Sequence, residues 1–230
     1  MTQLTPPTAV VHLGPIPVTD VVVVTWGIML LLTLGGALLS RRLALVPSRT
    51  QAAVEALVGA VDAQIRDVVR SDPAPYRGFT GTLFAFILVA NWSTLVPGVD
   101  PPTARLETDA ALALFVFIAV IVFGIRAAGV AGYFRHFASP NVIMIPLNFL
   151  ETVTRSFSML VRLFGNVMSG VVLVGVVASL VRLIVPIPLM ALDLLTGAIQ
   201  AYIFSILALV FVADAVGGAR DRPGGEGVDG

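Results

Sequence analysis

The stretch Ser158-Met-Leu-Val-Arg-Leu-Phe-Gly-Asn-Val-Met-Ser-Gly170 places one arginine, Arg162, inside a segment that is otherwise apolar from about Phe157 to Pro186. An arginine side chain keeps its proton in a protein, and a charge at the centre of a bilayer costs roughly 2.5–3.5 kcal/mol on insertion scales. A chain retains such a charge only where protein or water compensates it, so Arg162 is predicted to be functional. The alternative is that Asn166 and backbone carbonyls hold Arg162 merely to fix helix packing.

Polar residues around Arg162 share one face of the predicted helix. At about 100° per residue they fall within a sector roughly 80° wide. They are Asn148, Glu151, Arg155, Ser158, Arg162, Asn166 and Ser169. The opposite face, which is apolar and expected to meet lipid, is Phe157, Leu160, Phe164, Val167 and Val171. Gly165 and Gly170 flank the polar stripe and favour the close approach of another backbone.

The composition is that of an integral membrane protein. Hydrophobic residues make up 57% of the 230 and charged residues only 12%, whereas a soluble domain is about 25% charged. The formal net charge is zero, and the 14 basic residues are scattered, with no tract for nucleic acid. The lack of cysteine excludes disulfides and thiol catalysis, and two separated histidines, His12 and His136, predict no metal site.

Motifs of ordinary catalysis do not occur. There is no phosphate-cradling glycine loop, no Gly-x-Ser-x-Gly elbow and no His-Glu-x-x-His, so we expect neither an ATP site nor a cofactor in this chain. Residues 1–20 lack the positive region and apolar core of a cleavable signal peptide. The first apolar segment is therefore expected to serve as the insertion signal.

Apolar lengths and proline positions predict an all-α integral membrane protein with a single membrane domain over residues 1–230. Three spanning helices are expected over residues 18–42, 79–97 and 109–129, with an amphipathic surface helix over 48–70. A hairpin of two long, strongly tilted membrane helices follows, over 141–184 and 188–216, because each segment exceeds a perpendicular span. Residues 217–230 are expected to be disordered. The placement of arginines puts the amino terminus outside and the carboxyl terminus in the cytoplasm.

The segment 48–70 is too polar to span a membrane. Its apolar residues recur at helical spacing, which predicts an amphipathic helix on the cytoplasmic surface. These residues are Val54, Leu57, Val58, Val61, Ile65, Val68 and Val69. Asp62 is expected to pair with Arg66 one turn on. A helix packed on a soluble partner is the alternative.

A second polar stripe lies in the last apolar segment, where Asp193, Thr196 and Gln200 are spaced three and four residues apart and so share a face. An antiparallel hairpin would bring Gln200 near Arg162 and leave Asp193 closer to the outer end. One fixed positive charge and a titratable carboxylate inside protein are typical of an ion pathway. A purely structural role is the alternative for Asp193, and equally for Asn91 at the end of the second span. Arg155 is either an interface anchor or part of the pathway.

Two sequence strings resemble a known family. Val161-Arg-Leu-Phe-Gly-Asn166, followed by Gln200-Ala-Tyr-Ile-Phe204, is similar to subunit a of the rotary F-type ATP synthases. The resemblance covers nearly the whole chain. Thr25-Trp-Gly27, Phe134-Arg-His-Phe-Ala-Ser-Pro140 and Leu194-Leu-Thr-Gly197 resemble the alternate, N-type branch of that family.

The resemblance implies a stator beside a ring of c subunits, with b-type peripheral stalk subunits and the F1 ATPase sector as further partners. The chain would lie in a bacterial inner membrane, in contact with lipid, and would conduct H⁺ or Na⁺. Arg162 would meet the ion-binding carboxylates of the ring and stop leakage between two offset half-channels. The resemblance implies that Asn166 and Gln200 are polar partners of Arg162, that Ser158 lines the same face and that Asn91 belongs to a half-channel. The shared helix faces add the other expected ion-pathway residues, Asp193, Ser169, Thr196 and Glu151.

The chain also departs from the family pattern. Many members carry glutamate nine residues after the arginine, where this chain has Val171. Asp193 stands where relatives often have histidine or an acid, so we take it as the main titratable group of the outer access channel. Thr94 and Val99 replace acids of some relatives, which leaves open a route by Asn91 and Asp100.

A solute or ion permease acting alone is the competing hypothesis. It accounts for a polar face inside the membrane, but neither for the overlong hairpin nor for the paired strings. A purely structural scaffold fails on the cost of burying Arg162.

Overall fold

The computed structural model of the chain describes residues 9–13, 16–41, 49–96, 99–137, 144–180 and 186–220. The described residues form the helices α1 Asp20–Arg41, α2 Arg49–Val69, α3 Ala74–Trp92, α4 Leu106–Phe137, α5 Met144–Leu180 and α6 Pro186–Arg220. Two short strands, β1 Ala9–Leu13 and β2 Ile16–Thr19, pair antiparallel ahead of α1. Two 3₁₀ turns connect α3 to α4: Ser93–Leu95, and Pro102–Ala104, which we call the Pro102 turn.

Five of the described helices, all except α2, are long and apolar enough to cross a membrane. The expected all-α membrane class is therefore confirmed. The β1–β2 hairpin was not expected. Its strands are only five and four residues long, and although they are rich in β-branched residues that favour extended backbone, such short runs give little signal in a sequence.

Several expected boundaries lie outside the described residues. These are residue 42, residue 48, residue 97, the ranges 141–143 and 181–184, half of the segment tested for a signal peptide, and the tail from 221. The first four residues of the expected disordered tail, 217–220, are helical and belong to α6. The expectation of disorder is therefore wrong for these four residues. The apolar residues of α6 continue through Val216, and no proline follows before residue 223 to end the helix.

The two last helices are the longest, with 37 residues in α5 and 35 in α6. At 1.5 Å per residue they measure about 56 and 52 Å, well beyond the ~30 Å hydrocarbon core of a bilayer. They run antiparallel, since Arg155 of α5 contacts Asp214 of α6 and Gly170 contacts Asp193. Helices of this length cross a membrane obliquely or extend past it.

Helix α6 forms the centre of the bundle. Its fully buried side chains are Ala201, Phe204, Ala208, Leu209 and Val212. The helices α3, α4 and α5 pack against it with Ile87, Val116 and Leu163, which are also fully buried. The central helix of the bundle is therefore also the one that carries Asp193 and Gln200.

Helix α4 is kinked at Gly129, whose φ of 72° lies in the left-handed region that favours glycine. Beyond the kink, Tyr133 is buried against Gly124, where a Cβ atom would lie 2.7 Å from the tyrosine Cδ2. The same Cβ would lie 3.4 Å from Ala215 of α6. Glycine is thus required at two positions. Gly129 allows the bend in the helix, and Gly124 leaves room for the Tyr133 ring, which packs against it beyond the bend.

The surface helix α2 is attached to the membrane helices of its own chain. The expected pair of Asp62 with Arg66 is wrong, because Arg77 at the start of α3 donates from both Nε and a terminal nitrogen to the Asp62 carboxylate, each at 2.6 Å. Two parallel N–H···O bonds fix geometry better than a single bond one helical turn away. Tyr202 of α6 also donates to Gln64 at 2.8 Å.

The apolar face of α2 is divided by this attachment. Ile65 is fully buried, and Val61, Val68 and Val69 pack against the bundle core. At the other end of the helix Val54, Leu57 and Val58 stay exposed. Only the second half of the amphipathic stripe is therefore covered by this chain.

We predict that Asp62→Asn loosens α2. The Arg77 guanidinium holds the pKa of the Asp62 carboxyl below its ordinary value of 3.8, so the pair is intact at neutral pH and is lost only as the pH falls below that value. The amide keeps the shape but removes the charge, and amide hydrogens of Arg49–Val69 should exchange several-fold faster. Asp67→Asn, at an exposed carboxylate of the same helix, is the matched control, and equal exchange in the two variants would contradict the prediction.

Candidate ion pathway

Arg162 lies near the middle of α5 with its side chain exposed at the protein surface. The buried face of α5 is made by Met159, Leu163 and Val167, and the polar stripe runs beside it. Val167 was expected to face lipid and instead packs into the core, because the bundle contacts α5 on the side next to the stripe. Within the described part of the chain, no carboxylate pairs with Arg162 and no hydrogen bond joins it to Asn166. The contacts that a purely structural role for this arginine would need are thus missing there.

A groove of about 630 Å³ opens along α5 and α6 on the amino-terminal side of Arg162. We call it the Glu151 cavity. Its lining residues include three of the predicted site, namely Glu151, Ser158 and Arg162. From α6 come Leu207 and Phe211. The structure therefore brings part of the polar stripe together on one cavity.

Arg155 joins the two long helices at this cavity. It donates to Asp214 of α6 at 2.7 Å and also pairs with Glu151, one turn earlier in α5. Its guanidinium lies 5.3 Å from the centroid of the Phe211 ring, a cation–π distance. Arg155 thus links α5 to α6 as well as lining the cavity.

Asp214 was not among the residues expected to line the pathway. It stands 14 residues after Gln200, which at 100° per residue puts the two within about 40° on the same side of α6. This shared helix face was the sequence signal that could have indicated Asp214. The ion pair itself could not be found in this way, because its partner Arg155 lies 59 residues away.

Gln200 is buried, and its Nε2 atom has no hydrogen-bond partner. The contacts of Arg155 with Asp214 and of Gly170 with Asp193 fix the register of the antiparallel pair. Interpolation between them puts Gln200 at about the level of Asn166, one turn from Arg162. A buried amide donor without an acceptor is costly, so this position fits a polar lane that holds water better than a packed apolar core.

Asp193 lies against Gly170. A Cβ atom at position 170 would overlap the Asp193 carboxylate, at 2.7 Å from its Cγ. Gly170 thus provides the close approach expected of it, although to a side chain and not to a backbone. At Gly165 nothing lies within 4 Å of such a Cβ, so this glycine faces open space.

A second cavity, of about 200 Å³, lies at the other end of the hairpin, and we call it the Asp193 cavity. It is lined by α5, α6 and the loop ahead of the Pro102 turn: Thr94, Leu95, Val99, Asp100, Pro101, Val171, Val174, Gly175, Met190, Asp193 and Leu194. Asp100 and Asp193 are the carboxylates of that lining. Of the two residues of the route that the sequence left open, Asp100 lines this cavity.

Asn91 makes the contacts of a structural clamp. It is buried, its Nδ2 donates to the Gly197 carbonyl at 2.9 Å, and its Oδ1 accepts from Thr103 at 2.7 Å. The next residue, Trp92, donates from Nε1 to the Leu194 carbonyl at 3.2 Å. These bonds tie α3 and the Pro102 turn to α6, and Asn91 is not among the residues that line either cavity.

Three predicted residues remain. Asn166 is half-buried, Ser169 is exposed and donates to the Asn166 carbonyl at 2.8 Å, and Thr196 donates to the Asp193 carbonyl at 3.0 Å. None of them lines either cavity. In the part of the chain that the structure describes, no group of three His, Cys, Asp or Glu side chains could hold a metal ion.

Known proteins resemble the chain over most of its length. The family profile described as ATP synthase A chain matches residues 22–213. ATP synthase subunit a 2 of Bradyrhizobium sp. (strain BTAi1) is 51% identical over 210 residues, which cover 91% of this chain and 94% of that protein. ATP synthase subunit a of Albidiferax ferrireducens is 45% identical over 91% of this chain and 92% of its own length. For ATP synthase subunit a 1 of Chlorobaculum parvum the identity is 46%, over 84% and 87%. With its membrane-spanning helices, the chain is a multi-pass membrane protein that belongs to the ATP synthase subunit a family.

Proposed function

We propose that this chain is the stator subunit a in the membrane sector of an F-type ATP synthase. It forms two ion half-channels beside a ring of c subunits and couples ion passage to rotation of the ring through Arg162. The observation that carries the proposal is the pair of cavities at opposite ends of the α5–α6 hairpin. They share no lining residue, and Arg162 belongs to only one of them.

Because the cavities are separate, an ion that enters one of them needs a carrier to reach the other. The exposed side of α5 offers the surface for such a carrier. Arg162 is exposed there, together with apolar residues such as Phe157, Val161 and Val172. A partner that buries apolar helices in the membrane and presents a carboxylate at the level of Arg162 fits this surface, and c subunits of a ring have that chemistry.

The role of Arg162 is electrostatic. Two unit charges 4 Å apart attract by about 4 kcal/mol at an effective dielectric constant of 20. A ring carboxylate opposite Arg162 is therefore held in its ionised form, and its ion is released before it passes. The membrane potential contributes about 2.3 kcal/mol per charge per 100 mV. The electrostatic interaction at Arg162 and the driving force for ion movement are therefore of the same order of magnitude.

Asp193 is the titratable group of the access channel that leads to the ring, and Asp100 lines the same cavity. Val171, which replaces the glutamate common in relatives, lines this cavity without a charge. The carboxylate of Asp193 on α6 therefore takes over the proton exchange. On the other side Glu151 and Ser158 line the second half-channel, and Asn166, Gln200, Ser169 and Thr196 lie between the two.

The orientation and the partners complete the proposal. The arginine bias puts the amino terminus outside and the carboxyl terminus in the cytoplasm, so the Asp193 cavity opens outward. The bacterial relatives support a bacterial inner membrane. The b-type stalk and the F1 sector are the expected partners besides the ring, and the conducted ion is H⁺ or Na⁺. The three motifs quoted above favour the N-type branch.

A permease acting alone remains the second candidate. It would need a continuous path inside one chain, whereas the two cavities share no lining residue. Copurification separates the two functions. A stator should leave the membrane in mild detergent together with a small carboxylate-bearing c subunit and the peripheral ATPase, while a permease should leave it without them.

Arg162→Ala is expected to abolish ion-driven ATP synthesis in membrane vesicles. The substitution removes about 4 kcal/mol from the electrostatic barrier at Arg162, which corresponds to a roughly thousandfold change in the rate at which ions pass it. ATP hydrolysis by the attached peripheral sector should persist without ion pumping. Arg126→Ala, which removes an exposed arginine of α4, is the control and should keep synthesis. Normal synthesis in the Arg162 variant would rule out the proposed role.

Asp193→Asn should reduce ion-driven synthesis by removing the group that exchanges ions with the outside. Gly170→Ala should also reduce it, because the new methyl group occupies the place of the Asp193 carboxylate and displaces it. Gly81→Ala, in α3, adds the same methyl group where nothing lies within 4 Å and should leave synthesis unchanged. Synthesis rates at matched membrane potential test all three variants. Full activity of Asp193→Asn would exclude Asp193 as the access group.

A further inference from the structure

Asp109 is a buried carboxyl group that the proposed pathway does not use. It lies in the first turn of α4, its exposed fraction is 0%, and neither of its side-chain oxygens has a hydrogen-bond partner among the described residues. It lines neither the Glu151 cavity nor the Asp193 cavity. A buried polar group without a partner in a native structure calls for an explanation.

An ionised carboxylate does not fit this position. Burying a charge without a partner costs several kcal/mol, whereas a favourable helix amino terminus returns about 0.3–1 kcal/mol and at most ~2. The deficit remains even with the helix dipole in the best geometry. The closed structure is therefore compatible with the neutral acid, which carries a proton.

Among the described residues, no cation pairs with the Asp109 carboxyl group. The segments of α3 and α5 that approach this end of the bundle, residues 78–95 and 163–180, contain no charged residue. The titratable and charged groups on the surrounding elements are Asp20 of α1, Asp100 and Arg105 of the connecting loop, Glu107 of α4 and Asp193 of α6. None of them forms an ion pair or a side-chain hydrogen bond with Asp109.

The Pro102 turn closes over the start of α4. Pro102 and Thr103 are fully buried and Ala104 nearly so, and the turn packs against α1, α3, α4 and α5. Its backbone bonds run from the Ala104 amide to Pro101 and from the Arg105 amide to Pro102, at 3.0 and 3.1 Å. The Asp109 amide continues this series by donating to the Arg105 carbonyl at 3.2 Å.

The same loop forms a wall of the Asp193 cavity. Val99, Asp100 and Pro101, which immediately precede the turn, line that cavity. Water can solvate an ionised Asp109 only if this part of the bundle opens, because the side chain has no exposed surface in the closed state. A movement of the turn then also moves the cavity wall.

We propose that Asp109 is a proton-binding site whose bound proton keeps the Pro102 turn closed. Loss of the proton opens the turn, hydrates the carboxylate and widens the Asp193 cavity. The proton leaves to water on the side of the loop and returns from it, with no other group changing its charge. The consequence for ion access rests on the proposed function, whereas the proton-dependent closure of the turn does not.

Thiol labelling tests the closure, because the chain contains no cysteine. In the full chain purified in detergent, Ala104→Cys places one buried thiol in the turn, and Ala56→Cys places one at an exposed position of α2 that lines neither cavity. The ratio of their maleimide reaction rates removes the intrinsic pH dependence of thiol chemistry. We expect this ratio to be low at neutral pH and to rise by up to about tenfold per pH unit once Asp109 ionises, as release of one proton requires.

Two substitutions identify the group responsible. Asp109→Asn cannot ionise, so the ratio should stay low at all pH values, whereas Glu107→Gln, at an exposed carboxylate two residues away, should behave like the parent. A ratio that is flat in the parent, or that rises equally in Asp109→Asn, would overturn the proposal.

Hydrogen exchange on the cysteine-free chain provides a second measurement that does not depend on the labelling variants. The amides of Ala104, Arg105 and Asp109 should lose protection with rising pH in the parent but not in Asp109→Asn, relative to a peptide from α3. Equal loss in both proteins would contradict the proposal. The Arg162→Ala result separates the two questions, since it reports on coupling and not on the turn.

Discussion

A charge that cannot be neutralised, placed on the exposed side of a membrane helix, is the constraint on which the rest of this structure depends. Arg162 has no carboxylate partner in the described part of its own chain, and a lipid environment offers none of comparable strength. The proposed function supplies what is missing, a second protein with a carboxylate at that depth. An arginine is suited to this task because no accessible pH removes its charge.

The hairpin around Arg162 is held by contacts at both ends. Arg155 binds Asp214 near one cavity, and the fit of Asp193 against Gly170 brings the helices together near the other. Between these contacts, one side of α6 packs into the bundle core with its own large apolar side chains, such as Phe204 and Leu209. This packed pair of helices separates the two cavities. Because they are separate, the proposed function requires a carrier that moves ions from one cavity to the other.

Loop and surface elements are fastened to this packed bundle by polar bonds over long sequence distances. Asn91 fixes the Pro102 turn to α6, and the Asp62–Arg77 pair fixes α2 to α3. None of these three residues lines either cavity. Their polar side chains connect elements of the fold, whereas those of Glu151 and Arg162 belong to the proposed pathway.

Local order along one helix could be predicted from the sequence, and contacts between helices could not. The polar stripe through Glu151, Ser158 and Arg162 follows from a repeat of 3.6 residues, and three of its members do line one cavity. The predicted partner of Asp62, Arg66, was wrong. A sequence indicates only the nearest opposite charge along the chain, whereas a folded chain can pair a residue with any charge that packing brings close. Asn91 and Asp214 were undecided or missed for the same reason.

The sequence by itself determined the membrane class, the family and the presence of one arginine in an apolar segment, because these follow from composition, periodicity and short strings of residues. Only the tertiary structure decided that Gly170, and not Gly165, accommodates a neighbour, that Asp100 shares a cavity with Asp193, and that Asp109 is sealed without a partner. The physical reason is that cavities, close approaches and desolvation are properties of how helices pack. Side chains far apart in the chain meet in ways that no repeat along one helix encodes.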